Sequence, residues 1–151
     1  MTEATRMLGA ERSTLFLHDE KTSELFSRVA MGPKIGEIRF PDHAGIAGTV
    51  FTTGKTVNIP HAYADLRFNT SLDKQTGFFT RSILCTPLIN KHGLIIGVTQ
   101  ALNKSGGPFS AEDESRLKAF TAQVAIALEN AKLFDDVQKI KNYNELSLIH
   151  I

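Results

Sequence analysis

The chain has 151 residues, 42% hydrophobic and 22% charged, with a net charge of +1. That suits one soluble domain with a full core, and its scattered, balanced charges exclude a nucleic-acid surface. A single cysteine excludes an intrachain disulfide, and no apolar run approaches the roughly 18 residues of a membrane span. The N-terminus lacks the apolar core of a secretion signal, so a cytoplasmic domain is expected.

Residues 1–9 are helix-compatible, with Met7 and Leu8 apolar and Gly9 as a stop. Ser13–Asp19 alternates as a strand: Leu15 and Leu17 share one face, and Thr14, Phe16 and His18 share the other. After a polar turn, Leu25–Met31 pairs back as a hairpin, ended by Gly32-Pro33. Glu37–Phe40 is a short third strand stopped by Pro41. In Gly45–Gly54 the period changes. Ile46, Ala47, Val50 and Phe51 mark a short helix closed by Gly54. Thr56–Ile59 is a brief strand. His61–Gly77 is polar, with one or two helical turns over Ser71–Thr76 and Ser71 as their cap. Ser82–Ile89 and Leu94–Leu102 are strands joined by the turn Asn90–Gly93. The second is apolar almost throughout, as suits a sheet centre buried on both faces.

Ser110 opens a long helix that runs to about Gln138, and its pairing with Asp113 resembles a capping box. Leu117, Phe120, Val124, Ala127, Leu128, Ala131 and Phe134 form its apolar stripe; Ala122 and Ala125 add room for close packing. Val137, Ile140, Tyr143 and Leu146 continue the stripe. Residues 1–138 therefore read as one domain and 139–151 as an exiting helix or linker, with 146–151 as a truncation end of no function. The order of elements is that of an α+β domain with an antiparallel sheet and helices gathered beside it.

Several spaced motifs resemble the GAF domain family, the small-molecule-binding module of phosphodiesterases, cyclases and bacterial sensors. The resemblance covers roughly Arg12 to Phe134. Its most specific element is Asn103-Lys104, Phe109 and Asp113, followed by Glu114, which marks the cyclic-nucleotide-binding branch. In that branch the Lys and Asp form a structural salt bridge outside the pocket. Gly45-Ile46-Ala47-Gly48, Asn58-Ile59-Pro60, Ala62-Tyr63-Ala64-Asp65, Arg67-Phe68 and Leu72–Phe78 match further segments of the same branch. So do Thr80-Arg81 and Ile83-Leu84-Cys85. The resemblance implies a GAF/PAS-like sheet of about six antiparallel strands. Long terminal helices would pack on one face and short pocket helices on the other. It also implies a regulatory sensor that binds cAMP or cGMP, controls an attached output domain and has no catalytic residue of its own. A homodimer through the terminal helices is the implied assembly. By family analogy a cyclase is a slightly better guess than a phosphodiesterase for the output domain.

The implied ligand-binding residues are Thr14, Ile46, Ala47, Asn69, Asp73, Thr76, Thr80 and Gln100. Their chemistry is consistent with the ligand. A helix N-terminus at Gly45-Ile46-Ala47 offers backbone N–H groups to a phosphate, with Gly45 permitting close approach. Asp73 repels a phosphate and so belongs by the base or ribose. Gln100, polar within an apolar central strand, needs a partner. An amide gives or takes a hydrogen bond, so Gln100 leaves the purine open. Ala30-Met31 and Gln100 depart from residues common in the branch.

Other signals read as ordinary structure. In Gly54-Lys55-Thr56 the first glycine of a phosphate loop falls at Thr49, and the stretch follows a helix. His18, His43, His61 and His92 have no metal-ligand spacing. Cys85 reads as a core residue, and one cysteine fits neither a bilin-binding nor a methionine-sulfoxide-reducing relative. The alternative to the sensor is a spacer whose pocket is filled by its own side chains.

Overall fold

A computed structural model describes the backbone of residues 2–30 and 37–149 and the side chains of residues 3–27 and 37–132. The chain runs α1 (Thr2–Leu8), β1 (Ala10–Asp19), β2 (Glu24–Ala30), β3 (Arg39–Pro41), α2 (Gly45–Thr53) and β4 (Val57–Ile59). A 3-10 turn at Ala62–Ala64 then leads to α3 (Ser71–Thr76), β5 (Ile83–Ile89), β6 (Ile95–Lys104) and α4 (Ala111–Ile149). The six strands form one sheet in the order β3-β2-β1-β6-β5-β4. Every pair is antiparallel. The fold is the α+β class expected.

The long strands β1 and β6 pair at the centre, Thr14 opposite Gln100 and Phe16 opposite Val98. Gly97 is required there, because a Cβ would stand 2.2 Å from the Phe16 carbonyl oxygen. β5 flanks β6, with Cys85 opposite Gln100. Pro87 is tolerated in β5 because β4 pairs only with Ile83–Cys85, so its missing N–H faces no neighbour.

Side-chain alternation gives the sheet two different faces. Leu15, Leu84, Leu88 and Ala101 lie on one face, in clusters that also hold Leu8, Leu117 and Ala125 of the terminal helices. Phe16, Cys85, Val98 and Leu102 lie on the other, against Ile46, Ala47 and Val50 of α2. Only α4 is long among the terminal helices; α1 has 7 residues.

The buried face of α4 differs from the expected stripe. Leu117, Thr121 and Ala125 are buried, whereas Ala127 and Ala131 are exposed. Thr121 enters the core because its hydroxyl bonds the Leu117 carbonyl at 2.7 Å and pairs with Thr99 at 2.6 Å. The helix continues past Gln138 to Ile149. The side chains of Phe134, Val137, Ile140, Tyr143 and Leu146 lie outside the described residues, as do Met31, Gly32 and Pro33 and residues 150–151. Other boundaries shift as well: β1 starts at Ala10, β3 is Arg39–Pro41 and includes the proline expected to stop it, β6 runs on to Lys104, and the cap of α3 is Thr70, with Ser71 as the first helical residue. Asn69 Oδ1 accepts the Ser71 N–H at 2.9 Å, so the residue before the cap does the capping work.

Candidate ligand cavity

A cavity of about 530 Å³ lies between the sheet, α2, α3 and β3. Its floor is Phe16, Ile83, Gln100 and Leu102; one wall is Gly45, Ile46 and Ala47 at the start of α2. The lid is Phe68, Asn69, Leu72, Asp73, Gln75, Thr76 and Thr80. Ile38, Arg39 and Phe40 close the remaining side.

The α2 wall is the uncapped start of a helix, with Ile46 and Ala47 themselves buried. The helix has Ala44 at its N-cap with no side-chain cap. The N–H groups of its first turn, which a helix leaves unpaired, therefore stand at the cavity. Gly45 takes φ +68° to make that entry, a region L side chains rarely adopt. Gly48 lets the incoming chain pass against the helix, since a Cβ would meet the His43 carbonyl carbon at 2.4 Å.

The lid is organised by Asp73, which is buried although it carries an acid. Its Oδ1 accepts the Thr80 hydroxyl at 2.8 Å; its Oδ2 accepts the Thr80 N–H at 2.8 Å and the Tyr63 hydroxyl at 2.9 Å. Beneath the lid, the buried Arg12 guanidinium lies over the Phe78 ring at 3.9 Å. Arg12 Nε has no hydrogen-bond partner among the described residues. Burial pulls the guanidinium below its ordinary pKa, offset by the nearby Asp73 and Glu11. The Gln100 amide, half-buried on the floor, also has no hydrogen-bond partner among the described residues.

Seven of the eight expected ligand residues, all but Thr14, line this cavity. Thr14 is buried on the same face of β1, opposite Gln100, but its short side chain sits between Arg12 and Phe16 and is not part of the wall. Sequence reasoning missed the β3 wall and Tyr63. The β3 residues reach the cavity through the pairing of Arg39–Pro41 with Glu24–Phe26 of β2.

The spaced motif lies outside the cavity and joins elements. Lys104 Nζ is 3.1 Å from Asp113 Oδ1 and donates to the Leu8 carbonyl at 2.7 Å. One ammonium thus meets the last carbonyl of α1 and the N-terminal acid of α4, each the favourable sign for that helix end. Asp113 Oδ2 accepts the Ser110 N–H at 2.8 Å, and the Ser110 hydroxyl accepts the Asp113 N–H at 3.1 Å. Aspartate therefore completes the capping box that glutamate usually completes. Burial pushes the Asp113 carboxyl up, but the Ser110 amide and Lys104 outweigh it and hold it below its ordinary value. Asn58 Nδ2 donates to the Phe109 carbonyl at 2.9 Å and to Glu114 at 3.3 Å, tying β4 to the same corner.

Burial pushes the Cys85 thiol up, which leaves it an inert core group. No cluster with metal-binding composition occurs among the described residues, and no helix there is long and apolar enough to cross a membrane. A second hollow of about 530 Å³ lies on the α4 side, lined by Lys55, Thr86, Lys118, Thr121 and neighbours.

The chain belongs to the GAF domain family, whose model matches residues 1–128. It is 36% identical over 162 aligned positions to "Probable 3',5'-cyclic phosphodiesterase pde-5" of Caenorhabditis elegans, covering 98% of this chain and 22% of that protein. It is 43% identical over 141 positions to "Dual 3',5'-cyclic-AMP and -GMP phosphodiesterase 11A" of Takifugu rubripes, covering 85% of this chain and 16% of that protein. The chain therefore spans less than a quarter of the length of these relatives. A GAF domain from a phosphoenolpyruvate-protein phosphotransferase of Coxiella burnetii matches with a TM-score of 0.80 at 18% identity. That match covers 89% of this chain and 81% of the other, and it shows a shared fold.

Proposed function

We propose that this chain is a regulatory sensor module whose cavity binds cAMP or cGMP and whose occupancy is passed to an attached output domain. The observation that carries this reading is the pairing, across one cavity, of uncapped α2 amides with the Gln100 amide, which has no hydrogen-bond partner among the described residues. The ligand's phosphate sits at the α2 amides of Ile46 and Ala47, near Asn69. The purine lies over Phe16, Ile83 and Leu102 and meets Gln100 at its edge. Asp73, Thr76 and Thr80 contact the base or ribose from the lid. The phosphodiesterase relatives favour a phosphodiesterase output domain over the cyclase suggested by family analogy. Ligand shifts the lid toward its closed form, and the terminal helices, which also form the homodimer contact, carry the shift onward.

A cavity of about 530 Å³ falls within the roughly 300–1,000 Å³ of small-molecule sites, which weighs against the spacer reading. Titration calorimetry of the domain with each nucleotide tests the proposal. The expected result is binding of at least one, weakened about tenfold in Asp73→Ala and in Thr76→Ala, as for a lost hydrogen bond to a charged or polar partner. Failure of both nucleotides to bind folded, ligand-stripped protein hands the role to the spacer reading.

A further inference from the structure

Tyr63 lies outside the cavity, yet it touches the lid before, within and after α3. Its ring packs edge-on to Phe68 at 5.2 Å and stacks on Phe79 at 4.9 Å with an interplanar angle of 8°. Its hydroxyl donates to Asp73 at 2.9 Å. The ring pair is on the surface, with Tyr63 49% and Phe79 61% exposed. Such a contact adds little to the core but spans the lid from one flank to the other. Of the donors that Asp73 accepts, Thr80 belongs to the lid itself and Tyr63 comes from the preceding turn. The lid is thus held from both sides, and at its exit Asn103 Nδ2 donates to the Phe79 carbonyl at 2.9 Å. Arg12 holds Phe78 from the buried side, and Tyr63 holds Asp73 and Phe79 from the solvent side.

We infer that Tyr63 is the clasp of the lid, a positioning residue whose hydroxyl bond to Asp73 sets how often the lid opens to admit and release the cyclic nucleotide. The identity of the ligand rests on the function proposed above; the clasp itself does not. A buried cation–π contact opens only with the local fold, whereas a half-exposed hydroxyl bond exchanges with water readily. A phenol keeps its proton at neutral pH, and partial burial and the Asp73 carboxyl hold it above its ordinary pKa, so the hydroxyl is a donor to Asp73. Removal of that one donor leaves the core untouched and frees the middle of the lid.

The test compares wild type with Tyr63→Phe, which keeps the stacked ring, and Tyr63→Leu, which also removes it. Amide hydrogen exchange is followed without ligand, and stopped-flow rates are taken with a fluorescent cyclic nucleotide. In Tyr63→Phe, exchange at residues 72–80, the Thr80 amide above all, is expected to quicken about tenfold while β1, β5 and β6 keep their protection. Nucleotide release quickens about tenfold and entry quickens with it, so affinity changes less than either rate. Tyr63→Leu moves further in the same direction. Unchanged exchange at 72–80 in Tyr63→Phe overturns the clasp, as do faster exchange with unaltered nucleotide rates or a loss of protection spread over the whole sheet. If wild type binds no nucleotide but Tyr63→Phe still opens the lid, the clasp stands and the cyclic-nucleotide reading falls.

Discussion

Asn103 is the residue whose loss should cost the fold most for its size. It is the next-to-last residue of β6, with φ +61°, a left-handed backbone that asparagine tolerates and alanine does not, and it is wholly buried. Its Oδ1 accepts the N–H of Arg81 at 2.6 Å and of Ser82 at 3.2 Å. Its Nδ2 donates to the Phe79 carbonyl at 2.9 Å and to Glu11 at 3.2 Å. One side chain therefore satisfies three backbone groups in the segment that carries Thr80. Asn103→Ala leaves those three groups unmet at about 1 kcal/mol each and adds about 1 kcal/mol for the left-handed backbone, about 4 kcal/mol in all. Asn103→Gly relieves the backbone and should lose about 3 kcal/mol. Urea denaturation of the three proteins reads both numbers. A loss below about 1 kcal/mol in Asn103→Ala, or a glycine variant less stable than the alanine one, refutes the reasoning.

Other expectations follow from the same geometry. The Asp113 carboxyl titrates below its unfolded value of about 3.9, so its stabilisation is present above that pH and fades as pH falls through the lower folded value. Asp113→Asn should flatten this limb of a stability–pH curve; an unaltered limb contradicts it. Gly97→Ala drives a methyl into the Phe16 carbonyl at the central strand pair and should cost about 2 kcal/mol or more, measured by thermal melting. A neutral effect there disproves the close approach. Gln100→Glu replaces a donor-acceptor amide with an acceptor and should raise the cGMP-to-cAMP affinity ratio, because the guanine edge offers more donors. Parallel calorimetry of both nucleotides checks the direction, and an unmoved ratio removes Gln100 from the base contact.

The motif that marks the family was readable because its residues answer demands of the backbone. Asn103 sits where the chain must turn left-handed, and the Asp113 carboxylate must face one helix-end amide and an ammonium. The α2 wall was readable for the same reason, since Gly45, Gly48 and Gly54 each mark a backbone requirement. The β3 wall was not. Whether Ile38 and Phe40 face a cavity or solvent depends on pairing with β2, a long-range register that no local pattern encodes. Thr121 escaped the stripe on α4 because its place in the core rests on two hydroxyl bonds, which hydrophobic periodicity does not count. Tyr63 escaped because an aromatic residue in a polar stretch reads as surface. Its partners Phe68, Asp73 and Phe79 meet only once the lid folds back. The capping of α3 by Asn69 through Ser71 shows a smaller shift of the same origin, local side-chain bonding settled by the turn that precedes the helix.

One cavity, between α2, the lid and the sheet, is the proposed seat of the cyclic nucleotide. Titration of isotopically labelled domain with cAMP and with cGMP, followed by amide shifts in NMR spectra, addresses it most directly. Saturable shifts confined to residues 45–48, 69–80 and Gln100 are expected, with the Ile46 and Ala47 amides moving furthest because the proposed phosphate site is theirs. Shifts confined to the α4 hollow around Lys118–Ala122, or no shift with either nucleotide, contradict it.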